Sequence, residues 1–205
     1  MFLFLALLGL VAADYNCPSN TLSNEQRELL LEGHNEIRRK IAHGEMENKD
    51  GLPNLGPAKN MYALDWDCDL EKQAEESLAK CSLEEKVNAG RNMIKLNGGT
   101  LSDTDYMTIA LSNWVAPIKF FGKQAPTNQY DGMHCQFANM VHANTTKVGC
   151  SFKRCGDDFL FACLYNKCGV KEPLMWEEGQ PCEDDDHCTT FYGSECERGL
   201  CITSH

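Results

Sequence analysis

Twelve cysteines constrain the fold of this 205-residue chain more than any other feature of its sequence. They run from Cys17 to Cys201, so all of them follow the apolar stretch at the start of the chain. An even number of cysteines in an extracellular protein predicts disulfides, here six for the 12 cysteines. Zinc binding is the alternative, and it requires paired Cys-x-x-Cys or Cys/His spacings. His187-Cys188 beside Cys182 comes nearest to such a spacing, and it fits poorly, so disulfides are favoured.

The first 13 residues are apolar throughout and too few to span a bilayer. The small residues Val11, Ala12 and Ala13 predict cleavage of a signal peptide before Asp14. The segment is short for a signal and lacks a basic start, so its true beginning stays open, and a buried N-terminal helix is the alternative. No later apolar segment approaches membrane-spanning length. We therefore expect a secreted, extracellular protein that does not insert into a membrane.

The charge balance excludes several classes of partner. The chain has 19 Lys and Arg against 30 Asp and Glu, a net charge of −11. A nucleic-acid binder needs a basic surface to displace counterions from phosphates, and adsorption to anionic lipid needs one as well. At 42% hydrophobic residues the chain is also too apolar for a disordered acidic tail. A folded acidic protein with no nucleic-acid partner is expected.

Periodicity predicts helices at the start of the chain and strands near its end. A capping box at Ser23 and Gln26 opens the first helix, and Leu30, His34 and Ile37 share its apolar face. The predicted segments are a helix from Ser23 to about His43, a helix beginning near Asp67, a helix over residues 102–114, and strands over 147–152 and 159–165. Helices on either side of a few strands indicate an α/β/α layered body.

The composition changes after Gly169, and we place a boundary near residue 170. This gives a leader over 1–13, a body over 14–170 and a cysteine-rich tail over 171–205, which needs disulfides in place of a core. The acidic run over 183–186 could imitate a calcium loop, but it lacks the alternating ligands, so a solvated charged face is favoured. Asn144 begins the one N-glycosylation motif, which predicts an exposed loop.

Three segments together resemble the CAP superfamily of cysteine-rich secretory, antigen 5 and pathogenesis-related proteins. They are LEGHNEIR over 31–38, FANMVHANTTKVGC over 137–150 and FACLY over 161–165. The resemblance implies an α-β-α sandwich with a C-terminal cysteine-rich hinge. It also implies the disulfides Cys68–Cys155, Cys81–Cys168 and Cys150–Cys163. Two more would lie within the tail among Cys182, Cys188, Cys196 and Cys201, while Cys17 and Cys135 receive no assigned partner.

The residues that form the family's metal-binding tetrad differ here at every position. By alignment with the family motifs, the two histidine positions hold Glu85 and Gln136, and the two acidic positions hold Arg91 and Pro117. An amide cannot titrate, a guanidinium repels a cation, and proline offers no side-chain ligand. We therefore expect no metal, no cofactor and no catalytic residues, and hence no enzyme. A residual metal-dependent hydrolase would require His34, His134 or His142 to converge on one site, whereas we expect His34 and His142 to be packed in the core.

These departures resemble a hookworm branch of the family that blocks integrin-dependent adhesion of host cells. The resemblance implies a non-enzymatic antagonist of platelet integrins, the fibrinogen and collagen receptors. Arg154, Gly156 and Asp157 form a candidate integrin-contact loop, because an exposed carboxylate can ligate an integrin's divalent cation. A plain disulfide-anchored hairpin turn is the favoured alternative. Two alternatives remain for the protein as a whole. One is another secreted immunomodulatory binding protein, such as an antagonist of leukocyte integrins. The other is a sterol or fatty-acid carrier of the family, on whose apolar groove the sequence is silent.

Overall fold

A computed structural model describes residues 14–83, 90–167 and 174–204. The first half holds helix α1 (Asn24–Ala42), the short strands β1 (Ala58–Lys59) and β2 (Asp65–Trp66), and helix α2 (Cys68–Leu78). The second half holds strand β3 (Gly90–Asn97), helices α3 (Asp103–Phe121) and α4 (Cys135–Val141), and strands β4 (Lys147–Cys155) and β5 (Asp158–Tyr165). The tail holds β6 (Glu177–Glu178), a 3-10 turn (Asp185–His187), β7 (Glu195–Glu197) and β8 (Leu200–Ile202).

The central sheet has four strands in the order β2-β4-β5-β3. β5 pairs antiparallel with both β3 and β4, and β2 runs parallel to β4. Along β5 the side chains alternate between two cores: Phe159, Phe161 and Tyr165 face the core shared with α1, α3 and α4, whereas Leu160 and Leu164 face α2. The predicted α-β-α sandwich is confirmed.

Helix α2 packs closely on the sheet because β4 carries a glycine at the contact. A Cβ built on Gly149 would lie 2.1 Å from the backbone nitrogen of Glu71. Asp67 caps the helix by accepting a hydrogen bond from the backbone N–H of Leu70. Ser23 and Gln26 form the predicted capping box at the start of α1. These local signals place both helices where the sequence predicted them.

Five disulfides connect the described residues, and they correct two of the expected pairings. Cys17 bonds to Cys68, and Cys81 bonds to Cys155, so the expected bonds Cys68–Cys155 and Cys81–Cys168 are wrong. The physical reason is the direction of α2, which begins at Cys68 and ends just before Cys81, at the level where β4 ends. Its 11 residues rise about 16 Å, so Cys68 lies a helix length away from the end of β4.

The remaining described bonds agree with the expectation. Cys150 and Cys163 face each other across β4 and β5 and are bonded, as expected. Two bonds lie inside the tail, Cys182–Cys196 and Cys188–Cys201. Five of the six expected disulfides are found among the described residues, where Cys135 carries a free, exposed thiol. Cys168 lies outside the described residues.

The tail is joined to the body by backbone hydrogen bonds and by shared core. β6 pairs antiparallel with β1, and the backbones of Tyr62 and Cys201 form an isolated parallel β-bridge. Met175 and Trp176, both beyond the expected boundary, are buried in the same core as α1 and α3. The start of the tail therefore completes the body's core.

Candidate functional site

The structure describes three of the four altered tetrad positions, and each lies on a different element. Arg91 is the second residue of β3, Pro117 lies inside α3, and Gln136 lies in the first turn of α4. Glu85 lies outside the described residues. The backbones of Arg91 and Gln136 are held close together, because Asn92 donates to the Gln136 carbonyl at 2.8 Å and Asn139 donates to the Arg91 carbonyl at 3.3 Å.

A buried chain of hydrogen bonds runs behind these positions. The His34 ring bonds the Leu30 carbonyl through Nδ1 at 2.7 Å and the Tyr165 hydroxyl through Nε2 at 2.9 Å. Asn92 donates to the same hydroxyl at 3.1 Å. The set is satisfied when Nδ1 of His34 carries the proton and Tyr165 donates to Nε2. Burial, with the Arg38 charge adding to it, lowers the pKa of His34 to about 4, so the ring is neutral near pH 7.

Full hydrogen bonding makes His34 a structural residue, as expected. His142 is buried as well, with Nδ1 3.1 Å from the Thr145 hydroxyl, and burial lowers its pKa to about 4. His134 precedes α4 in a left-handed conformation (φ 58°) and stacks on Phe121. The three histidines thus bond or stack on different partners in the described part of the chain.

One group of potential metal ligands is close enough to hold an ion within the described ranges 14–83, 90–167 and 174–204. It consists of Cys182, Cys188 and Cys196, whose sulfurs are all consumed in disulfides. The acidic run of the tail is partly used in local bonds as well: Asp185 accepts a hydrogen bond from the backbone N–H of Cys196 at 2.8 Å. Its other three carboxylates, from Glu183, Asp184 and Asp186, are exposed.

The candidate loop at residues 154–157 consists of the last two residues of β4 and the two-residue turn, Gly156 and Asp157, that leads into β5. Gly156 adopts φ +63°, and Asp157 beside it is exposed. The turn is anchored by Cys155, which is bonded to Cys81. The Arg154 side chain is used within the protein and does not project toward a binding partner. Its guanidinium pairs with Asp103 at 2.7 Å and lies over the Tyr106 ring. The geometry is that of the disulfide-anchored hairpin, with the Asp157 carboxylate left accessible.

An apolar groove runs between α1 and α3, and sequence reasoning did not identify it. Its volume is about 550 Å³. The lining residues are Leu29, Gly33 and Ile37 from α1, and Thr108, Leu111, Ser112, Val115, Ala116 and Lys119 from α3. A Cβ at Gly33 would lie 2.8 Å from Cδ1 of Leu111, so the glycine gives this side chain room beside α1. The available signal was the repeat of Leu29, Gly33 and Ile37 at intervals of four residues.

Asn144, the predicted glycosylation site, lies in the turn between α4 and β4 and is half-buried. The Thr146 hydroxyl, which completes the motif, accepts a hydrogen bond from Asn166 at 3.0 Å. The motif is therefore held in an ordered turn at the surface. In the described part of the chain, no helix combines the length and the apolar character that crossing a membrane requires.

An α-β-α sandwich with a disulfide-bonded tail defines a class of small cysteine-rich domains. Comparison with known proteins identifies the family within this class. The family model of the cysteine-rich secretory proteins, CAP, matches residues 31–165. The chain belongs to this family.

Similar proteins come from parasitic worms among other sources. An Ancylostoma secreted protein of Ancylostoma caninum is 35% identical over 196 residues, which is 91% of this chain and 45% of that protein. The crystal structure of Na-ASP-1 matches with a TM-score of 0.86 and 33% identity, over 94% of this chain and 49% of that one. The crystal structure of hookworm platelet inhibitor matches with a TM-score of 0.70 and 26% identity, over 94% of this chain and 99% of that one. The chain spans about half the length of the first curated relatives that it matches.

Proposed function

We propose that this protein is a secreted, non-enzymatic effector that binds platelet integrins of a host and thereby blocks platelet adhesion and aggregation. The observation that carries the proposal is the likeness to hookworm platelet inhibitor over 94% of this chain and 99% of that one. The match leaves about 6% of this chain uncovered, which is fewer residues than the tail over 171–205 contains. Secretion is supported by the apolar leader over 1–13 and by five disulfides, which persist in oxidising compartments.

The chemistry of the altered tetrad supports binding over catalysis. General acid–base catalysis needs a titratable group near the working pH and within reach of substrate. Arg91, Pro117 and Gln136 supply none, and the pKa of His34 and of His142 is lowered to about 4 by burial. Divalent metals prefer imidazole and carboxylate ligands, and the arginine opposes them by its charge. A surface that occludes the receptor needs no such groups.

The mechanism is occupation of the receptor by a rigid, disulfide-bonded body. The Asp157 carboxylate at the hairpin turn is the group of the candidate loop that can reach an integrin-bound cation. Arg154 contributes to the turn through its bond to Asp103, so it acts as a support. Asp157→Asn keeps the size of the side chain and removes its charge. It is expected to weaken inhibition, while Asp50→Asn, another exposed acid in a turn, is the matched control.

The experiment is adhesion of resting and activated platelets to immobilised fibrinogen and collagen in the presence of titrated, disulfide-intact protein. Dose-dependent loss of adhesion on both surfaces, abolished when the disulfides are reduced, supports the proposal. No effect at micromolar protein contradicts it. The same titration on leukocytes then tests the alternative, an antagonist of leukocyte integrins.

The groove between α1 and α3 favours a second candidate function, carriage of a sterol or fatty acid. Small ligands bind in concave, mostly apolar sites of roughly 300–1,000 Å³, and this groove of about 550 Å³ lies in that range. Ala116→Phe would fill the groove, whereas Asn113→Phe places the same ring on an exposed part of α3 outside it. Lipid carriage predicts that organic extraction of purified protein yields lipid from the wild type and from Asn113→Phe. Equal lipid from Ala116→Phe contradicts it.

A further inference from the structure

The side chain of Tyr192 projects fully into solvent, with a relative exposure of 104%. Large aromatic side chains contribute 150–250 Å² of surface and are usually at least partly covered by their own fold. Tyr192 lies in the tail between two half-cystines, Cys188 and Cys196, each bonded to another part of the tail. We call residues 189–194 the Tyr192 loop.

The buried side chain of Tyr62 holds the middle of the loop on the body. The Tyr62 hydroxyl accepts hydrogen bonds from the backbone N–H groups of Thr190 at 3.1 Å and Phe191 at 3.0 Å. The Phe191 ring packs edge-on against the Tyr62 ring with centroids 4.8 Å apart. The Ser194 hydroxyl lies 3.3 Å from the Tyr62 hydroxyl and bonds the Phe191 carbonyl at 2.8 Å. The residues on both sides of Tyr192 are thereby held in place.

A second anchor holds the start of the loop. The Asn60 side chain accepts from the backbone N–H of Thr189 at 2.9 Å and donates to its hydroxyl at 3.0 Å. The disulfide from Cys188 to Cys201 fixes the chain directly before it. The loop is therefore ordered before any partner arrives, which lowers the entropic cost of binding through it.

We propose that the Tyr192 loop is a protein-docking surface, and that Tyr192 is the anchor residue that enters an apolar slot on the partner. Tyrosine is suited to this role because it buries a large area while ordering only two side-chain torsions, and its hydroxyl bonds at the slot's end. Interface hot spots are enriched in tyrosine for the same reason.

The charge of the tail determines the chemistry of the partner. Residues 174–204 hold eight Asp and Glu and one basic residue, Arg198, which gives 1 − 8 = −7. Glu195 and Glu197 follow the loop directly and are exposed. The partner is therefore a protein surface on which Lys and Arg surround the slot, because opposite charges steer association and like charges oppose it. The same acidity excludes anionic lipid and sulfated polysaccharide as occupants.

The assignment rests on the proposed function in one respect: the partner is expected on the surface of a host cell. The probe is fluorescently labelled full-length protein, and the readout is its saturation binding to washed platelets and to neutrophils by flow cytometry. Adhesion inhibition is measured separately on the same samples. The variants are Tyr192→Ala, Tyr192→Phe and the matched control Phe120→Ala, whose ring is 72% exposed on α3.

Tyr192→Ala is expected to weaken binding about 30-fold, as for a hot-spot residue, with an unchanged melting temperature. Tyr192→Phe should keep most of the affinity, and Phe120→Ala all of it. The double variant Glu195→Gln/Glu197→Gln should slow association and reduce its dependence on salt. Wild-type affinity in Tyr192→Ala overturns the docking surface and leaves the proposed function standing. Binding that requires Tyr192 without inhibition of adhesion supports the surface and contradicts the integrin proposal. No binding of the wild type to either cell overturns both.

Discussion

The buried ion pair between Arg27 and Glu71 offers the sharpest test of how the layers are joined. Glu71 is fully buried and accepts three hydrogen bonds, two from Arg27 at 2.7 and 2.8 Å and one from the Trp66 indole at 2.7 Å. These residues come from α1, α2 and β2, so one carboxylate connects three elements. The perturbation is Glu71→Gln, which keeps the shape of the side chain and removes its charge.

The magnitude follows from what the variant leaves behind. Arg27 keeps its bonds to Asn24 and to the Ser19 carbonyl, but its charge loses the only carboxylate with which it forms an ion pair in the described structure. The amide that replaces the carboxylate would also direct an N–H toward Arg27 or the Trp66 indole, which are themselves donors. Removing one partner of a buried pair costs about 3–5 kcal/mol. For a domain of this size each kcal/mol lowers the melting temperature by about 2–4 °C, so a fall of roughly 6–20 °C is expected.

The assay is urea unfolding of the disulfide-intact protein, followed by far-UV circular dichroism and by tryptophan fluorescence. The control is Glu75→Gln, in the same helix, whose exposed carboxylate bonds Ser19 and Thr21. Its loss should be below about 1 kcal/mol. The double variant Arg27→Met/Glu71→Leu removes both charges and should recover most of the loss. A change under about 1 kcal/mol in Glu71→Gln, or a double variant no more stable than the single one, refutes the reasoning.

Three other measurements test the structure independently. Burial lowers the pKa of His34 and His142 from 6.5 to about 4, so between pH 7 and 5.5 these two histidines take up protons only in the unfolded chain. The free energy of unfolding should therefore fall as the pH is lowered from 7 to 5.5, with a slope that approaches about 1.4 kcal/mol per pH unit for each histidine. His142→Gln should reduce this slope. A flat urea midpoint across that range contradicts this. Arg38 donates to five backbone carbonyls, so Arg38→Lys, with three donors, should cost about 2–4 kcal/mol in the same assay, and no loss would show that the carbonyls find other donors. Native protein should be alkylated by iodoacetamide at Cys135, as seen by peptide mass mapping, whereas a linked Cys135–Cys168 peptide contradicts a free thiol.

The sequence was informative wherever a local signal and the tertiary contacts agree. The capping box at Ser23, the cap at Asp67 and the two apolar strands around Cys150 and Cys163 all lie where their patterns indicated. Strand β3 was not predicted, because polar residues interrupt its alternation and its pairing partner β5 lies more than 60 residues away in sequence. Helix α4 was missed too, because His134 begins it without a side-chain cap.

Two further differences arise from packing that sequence patterns do not report. Helix α3 was expected to end at Trp114 and continues to Phe121 with Pro117 inside it. The buried Ile118 explains the continuation, since it packs into the core about one turn beyond Trp114 and the helix then runs on for most of another turn. The pairing of Cys81 with Cys155 depends on which end of α2 lies beside the end of β4. The spacing of cysteines along the sequence does not determine that arrangement. For the site, sequence identified the altered tetrad positions, but the groove and the Tyr192 loop emerge only from elements brought together by the fold.

The strands and bridges that attach the tail to the body have a consequence for any partner that touches both. Since β6 pairs with β1, and Trp176 from the tail is buried beside the helices, the hairpin turn at Asp157 and the loop at Tyr192 stand at a fixed separation. If the tail moved relative to the body, binding through both sites would have to restrict that motion, and the loss of conformational entropy would weaken binding. Folding has already fixed this separation, so a partner that contacts both sites, as proposed above, would require little further ordering of the chain.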